Sequence, residues 1–234
     1  MSKHTRTPRR PHPQRALDPL ADDQRAPRRR TQAERRQQTR RALLDAALEQ
    51  MDSRESFDAL SLRSVARAAG VVPNAFYRHF ASMDELGLVL IDESFRTLRA
   101  MLREAREGGP PPDHVIKRSV EILVRQVRDH RQHFAFIARA RYTGNGVLRH
   151  MIRNEIRLFT SELATDLARF AVLRDWTTED LQMIAGLLVN AMIATVEAIL
   201  DVPTAAPHAE AEIERIAEKQ LRLTMLAVPH WRSQ

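Results

Sequence analysis

The sequence has no cysteine, which excludes disulfides, thiolate metal sites and thiol catalysis. Glycine is scarce, at 7 of 234 residues, so the chain has few places where its backbone can readily take a positive φ. Aromatic residues make up only 5%. Runs of alternating β-branched and polar residues are missing, and Ala, Leu, Arg and Glu dominate, so the expected class is all-α. None of the patterns G-x-S-x-G, H-E-x-x-H or G-x-x-x-x-G-K-[ST] occurs, and no enzymatic activity is expected. His130 and His133 form H-x-x-H, but no Cys, His or Asp cluster completes a metal site, and no cofactor is expected. No apolar run follows the charged N-terminus, so no secretory leader is predicted and the expected compartment is the cytoplasm.

Charge is present in quantity and unevenly placed. The net charge is +7, yet residues 1–41 hold 13 Lys/Arg against 4 Asp/Glu, and the remainder hold 24 against 26. The basic excess therefore sits at one end, as attraction to nucleic acid phosphate requires. Residues 1–30 are rich in Pro and Arg and lack apolar periodicity. They are expected to be a disordered basic arm, lying along phosphates or acting only as a solvated tail.

Residues 61–80, SLRSVARAAGVVPNAFYRHF, carry the most specific signal. Ser61 is placed to cap a helix reaching about Ala69, Gly70 stands where the chain must leave it, and Pro73 suits the first position of a second helix. Leu62, Val65, Ala66 and Ala69 share one face, as do Phe76 and Phe80, leaving Asn74, Ala75, Tyr77, Arg78 and His79 on the other. A short second helix with a polar outer face after a glycine turn describes a helix-turn-helix, whose second helix enters the major groove. Asn74 can bond adenine N6 and N7 together, and Ala75 can touch a thymine methyl. Tyr77, Arg78, His79, Ser61 and Arg63 are expected to hold phosphates. An Arg-rich helix over about 32–51 precedes the pair, with Phe57 and Leu60 closing a small core, and the capping box of Ser82 and Glu85 starts a long helix after it.

The rest reads as a helical body. Apolar stripes run through Ile91, Phe95, Leu98 and Leu102, and through Ile116, Val120, Leu123 and Val127. A short helix carries Phe134 and Phe136, and a longer one, from about Gly146 to Leu173, carries Leu148, Ile152, Ile156, Phe159, Leu163, Leu167 and Phe170. GGPPP at 108–112 is the clearest break. These faces converge as helical bundles do around a ligand cavity, with Phe95, Leu98, Leu102, Phe134, Phe136 and Phe159 as candidate lining. Residues 183–200 are nearly apolar, but Asn190, Thr195 and Glu197 interrupt them, so an interface helix is expected and no membrane span. The helices at about 178–200 and 206–226, with Leu187, Leu188 and Val189 in the first, carry more apolar surface than one subunit needs. They are expected to pair with their copies in a two-fold homodimer on a palindromic operator in double-stranded DNA.

RRALLDAALEQ, SLRSVARAAGVVPNAFYRHF and DELGLVLIDESF resemble the N-terminal domain of the TetR family of bacterial repressors. YRHF followed by DELGL and DES resembles one subgroup, the FabR/DesT-like repressors of unsaturated fatty acid synthesis, and the likeness runs more faintly through RAR at 139–141 and NEIRLFTSELATDL at 154–167. It implies a helix-turn-helix domain over 31–81 and a ligand-binding and dimerisation domain over 82–227. It also implies phosphate contacts by Tyr77 and His79, a hydrophobic effector, and in that subgroup a long-chain acyl-CoA or acyl-carrier-protein thioester. Arg139, Arg141, Arg149, Arg153 and Arg157 would then be available to an anionic head group, with Arg139 and Arg149 as its contacts and Arg153 and Arg157 a solvated face. Two departures stand out: Val72 replaces a commonly capping Ser, and Ala75 a commonly base-contacting Thr, so operator bases do not carry over. The readings to be separated are a ligand-responsive repressor of lipid genes, a regulator sensing another hydrophobic molecule, and an unregulated basic DNA-organising protein.

Overall fold

A computed structural model of the chain describes residues 31–52, 56–106, 112–142, 144–203 and 206–233; the arm at 1–30 lies outside the described residues. The helices are α1 (Gln32–Asp52), α2 (Leu62–Ala68), α3 (Pro73–Phe76), α4 (Met83–Arg106), α5 (Pro112–Asp129), α6 (Arg131–Ala140), α7 (Gly146–Leu167), α8 (Thr178–Asp201) and α9 (Pro207–Leu226). Single 3-10 turns stand at Phe57–Ala59, Ala171–Leu173 and Val228–His230, and no strand occurs among the described residues.

Side-chain caps explain where most helices begin. Thr31 and Glu34 form a reciprocal box at the start of α1, the Thr31 amide donating to the Glu34 carboxylate at 2.7 Å. Ser61 and Ser64 do the same at α2. At α4, Ser82 Oγ accepts from the Glu85 amide at 3.2 Å, while the Glu85 carboxylate reaches one residue further back, to the Ala81 amide. Thr177 caps α8 through the Asp180 amide. Asn145 caps α7 by accepting from the Leu148 amide, so the Asn145-Gly146 pair begins a helix rather than a hairpin. Gly70 takes φ +69°, the left-handed conformation that lets α2 end and α3 start within four residues.

Three apolar clusters hold the molecule together. The first joins α1, α2 and α3 to the first half of α4, and it continues into the body through Phe136, Ala140, Leu148 and Ile152. The seam is tight: a Cβ on Gly87 would stand 2.9 Å from both Leu148 and Phe57. The second cluster packs α5 against α8 and α9, and the third packs α7 against α8 and Val228. α8 is long and apolar enough to cross a membrane, with a mean hydropathy of 2.0 over its best 18 residues. In this fold its apolar residues contribute to both body clusters.

Two expectations need correction. α7 stops at Leu167 rather than Leu173; a 3-10 turn follows, which buries Leu173 and leaves Phe170 exposed. Of Leu187, Leu188 and Val189, only Leu187 is outward, at 54% exposure, because α8 turns the other two into the subunit's own interior. Glu197 is paired across the bundle with Arg141, as a polar residue in an interior helix requires.

Candidate nucleic-acid interface and apolar cavity

At the reading face, Phe76 and Phe80 are buried with their rings 5.6 Å apart, so the opposite side of the segment must point outward. Asn74 and Arg78 are exposed, Tyr77 is 62% exposed, and Ala75 and His79 are half-buried. Only Pro73–Phe76 is α-helical; beyond it Arg78 and His79 bond back by three residues, to the Ala75 and Phe76 carbonyls. Val72 occupies the N-cap position and supplies no side-chain bond. Ser61 and Arg63 are exposed at the start of α2, with Ser61 engaged as its cap.

The sequence reading missed the contribution of α1. A groove of about 540 Å3 runs between α1 and α3, walled by Arg35, Arg36 and Thr39 on one side and by Ala75, Arg78 and His79 on the other. Three arginines along one groove make a concentrated positive surface beside the outward face of α3. The His79 imidazole is held below its usual pKa, first by burial and then by the charges of Arg36, Arg40 and Arg78. The helical period of α1 marks Arg36 and Arg40 as one face, but nothing local shows that this face meets α3.

In the body, a partly open apolar cavity of about 70 Å3 lies between α4, α5, α6, α7 and α8. Phe95, Leu98, Phe134 and Phe159 line it, together with Ile137, Ile156, Met192 and Val196. Phe136 does not: it is fully buried toward the head, its ring 5.7 Å from that of Phe57. Arg139 likewise faces the head, donating to the Met51 carbonyl at the end of α1. Arg149 is exposed and outside the lining, as are Arg153 and Arg157, and the Leu102 side chain lies outside what is described. Of the five arginines, Arg141 alone is in the lining, 3.2 Å from Glu197, which the sequence does not single out as a ligand contact. Among the described residues, no group of three His, Cys, Asp or Glu is placed to hold a metal. His133 turns its Nδ1 to Ser94 Oγ at 3.0 Å.

Residues 43–88 match the model of bacterial regulatory proteins of the tetR family, and residues 112–227 match that of the tetracycline-repressor-like C-terminal domain. Several solved structures share the fold. A TetR-like transcriptional regulator from Rhodococcus sp. RHA1 is 23% identical, with 83% of this chain and 99% of that one aligned at a TM-score of 0.59. GusR of Salmonella enterica is 20% identical over 80% and 95%, with a TM-score of 0.63. The fatty acid degradation regulator FadR of Bacillus halodurans is 15% identical over 84% and 97%, with a TM-score of 0.58. Both halves of the chain thus carry the same assignment, the outward helix-turn-helix at one end and the cavity-bearing bundle at the other. The protein belongs to the TetR family, whose members are cytoplasmic, dimeric, non-enzymatic DNA-binding regulators of transcription that respond to small molecules.

Proposed function

We propose that the protein is a repressor that binds a palindromic operator as a dimer and is controlled by a hydrophobic effector in the α4–α8 cavity. Asn74 reads bases, Ala75 contacts a thymine methyl, and Tyr77, Arg78 and His79 grip phosphate, with Ser61 and Arg63 beside them. The exposed Leu187 and Met183 of α8, with Ile216, Leu223 and Leu226 of α9, supply the apolar surface for pairing with a second copy. The basic arm at 1–30 adds sequence-independent attraction to DNA.

One observation carries the regulatory part of this reading: α6 belongs to both sites. Phe134, Ile137 and Ala138 wall the cavity, while Phe136, Arg139 and Ala140 are anchored in the head. A ligand that changes the position of α6 cannot leave the head where it was. The effector's tail lies among Phe95, Leu98, Phe134 and Phe159, and its polar end meets Arg141 or Glu197.

A long-chain acyl thioester is the first effector to test. Pockets for ligands of that size measure roughly 300–1,000 Å3. The cavity of about 70 Å3 would have to open several-fold, and that difference between closed and filled forms is what linkage needs. The experiment is a titration of saturated and unsaturated acyl-CoA, and of uncharged hydrophobic compounds of equal size, into the protein–DNA complex. A change in DNA affinity with the thioesters alone supports the lipid assignment. A response to the uncharged compounds alone moves the protein to a different effector class. Equal affinity for all duplexes and no response to any ligand would leave the DNA-organising reading.

A further inference from the structure

α3 cannot hold its own shape. It is one turn long, its N-cap residue Val72 contributes no side-chain acceptor, and isolated helices shorter than about a dozen residues are unstable in water. Past Phe76 the chain stays coiled through the bonds from the Arg78 and His79 amides, at 3.2 and 2.8 Å, together with one from the Phe80 amide to the Phe76 carbonyl. The carbonyls of Arg78 and His79 point beyond the end of this coil, where a helix leaves its last acceptors unpaired.

Both carbonyls are met by arginines of α1. Arg40 Nη1 donates to the His79 carbonyl at 2.8 Å, and Arg36 Nη2 donates to the Arg78 carbonyl at 3.5 Å. The Arg40 guanidinium also lies over the ring of Phe80, 4.3 Å from its centroid. Its fork is thereby committed to a backbone oxygen and its plane to an aromatic face, a pairing of which lysine is incapable in full. Phe80 is buried, so the ring cannot move to follow a displaced arginine.

We propose that Arg40, assisted by Arg36, is a positioning residue for DNA reading: it clasps the carboxyl end of α3 against α1 and so sets the direction in which Asn74 faces. The inference rests on the DNA-reading role proposed above. The competing role for a basic residue at this face is a direct phosphate contact, and the two differ in what salt and sequence do. A phosphate contact contributes equally to all duplexes and adds about 0.9 to the slope of log K against log salt. A positioning residue acts only where direction matters.

The test uses the full chain, with Arg40→Gln and Arg40→Lys, against the best duplex selected from a random pool and against an unselected duplex. For Arg40→Gln we expect about a tenfold loss on the selected duplex, the effect of losing a hydrogen bond to a charged donor, with less than twofold on the other and an unchanged salt slope. Arg40→Lys should recover part of the loss. In free protein, amide exchange at Arg78, His79 and Phe80 should quicken relative to Val65 and Ala66 in Arg40→Gln. Equal losses on both duplexes with a flatter salt slope would overturn the proposal in favour of a phosphate contact, and unchanged exchange at 78–80 would overturn the clasp. If the wild type itself fails to prefer the selected duplex, the DNA-reading role fails instead, and the exchange measurement still decides whether Arg40 holds α3.

Discussion

Arg141 and Glu197 meet at 3.2 Å on the wall of the apolar cavity, tying the end of α6 to α8. Tyr142 also reaches Glu197, at 3.5 Å. Both partners are partly solvated, so the pair contributes at most about 1 kcal/mol to folding. It is worth more as a charge selector.

An anionic effector must take Arg141 from Glu197, and a cationic one must do the reverse. Glu197→Gln should therefore tighten binding of an acyl thioester by up to about tenfold, and Arg141→Gln should weaken it by a similar factor, as exchange of one charged hydrogen bond implies. Calorimetric titration of both variants reads this directly. Equal affinities in the two would remove the pair from effector recognition.

Asn74→Ala should cost about 1–3 kcal/mol on the selected duplex and leave binding to an unselected duplex unchanged. Fluorescence anisotropy at one fixed salt concentration is sufficient. Parallel losses on both duplexes would make Asn74 a backbone contact.

Much of the head was legible because its signals are local. Ser61, Gly70 and Pro73 act within four residues of themselves, and their cap, positive φ and helix start appear where their chemistry places them. The body was less legible. Phe134 and Phe136 belong to one short helix, yet one lines the cavity and the other enters the head, because α6 is sandwiched between the two. Periodicity shows that such residues are buried but not in which cluster. Arg139 could not be read at all: its partner is a backbone carbonyl 88 positions away, and a carbonyl has no sequence signature. For the same reason Leu188 and Val189 looked like interface residues, since apolar surface facing a neighbouring helix and a second subunit reads alike.

His133 offers a pH test. Burial, then Arg41 and His130, hold its imidazole below the ordinary value of 6.5, with Asp45 opposing them. Ser94 Oγ spends its own proton on the Leu90 carbonyl, so Nδ1 is assigned as the donor to Ser94, a bond that either protonation state can make; burial and the neighbouring cations are what favour the neutral form. The unfolded chain then binds the proton more readily, and stability falls as pH drops below about 6.5 toward the depressed folded value. His133→Gln should flatten the fall in thermal stability below pH 6.5 relative to wild type. An identical pH dependence in that variant would discount His133; the depressed His79, beside Arg36, Arg40 and Arg78, would be the next source to replace.

Leu187→Glu should shift a dimer to monomer at micromolar concentration with helicity unchanged, because the side chain is mostly outside the subunit's own core. Sedimentation velocity distinguishes the two species. A variant that stays dimeric would place the contact elsewhere.

Gly87→Ala sets two effects against each other. Alanine favours the helix by about 1 kcal/mol, but its methyl would stand 2.9 Å from the buried Leu148 and Phe57, and overpacking typically costs 1–3 kcal/mol. We expect net destabilisation, seen as a lower denaturation midpoint. Gly186→Ala, with nothing within 4 Å, should raise the midpoint instead. If Gly87→Ala raises it as well, the seam between α4 and α7 is looser than these distances.

α8 has no idle side. Val189, Met192 and Val196 border the cavity, and Met183 and Leu187 project outward one or two turns away. A rigid rod cannot retreat from one neighbour without advancing on the other, so swelling of the interior alters the outer contour that a companion chain would meet. Occupancy and self-association would then share a single free-energy cycle. Apparent ligand affinity should consequently drift with protein concentration wherever the subunits are partly separated.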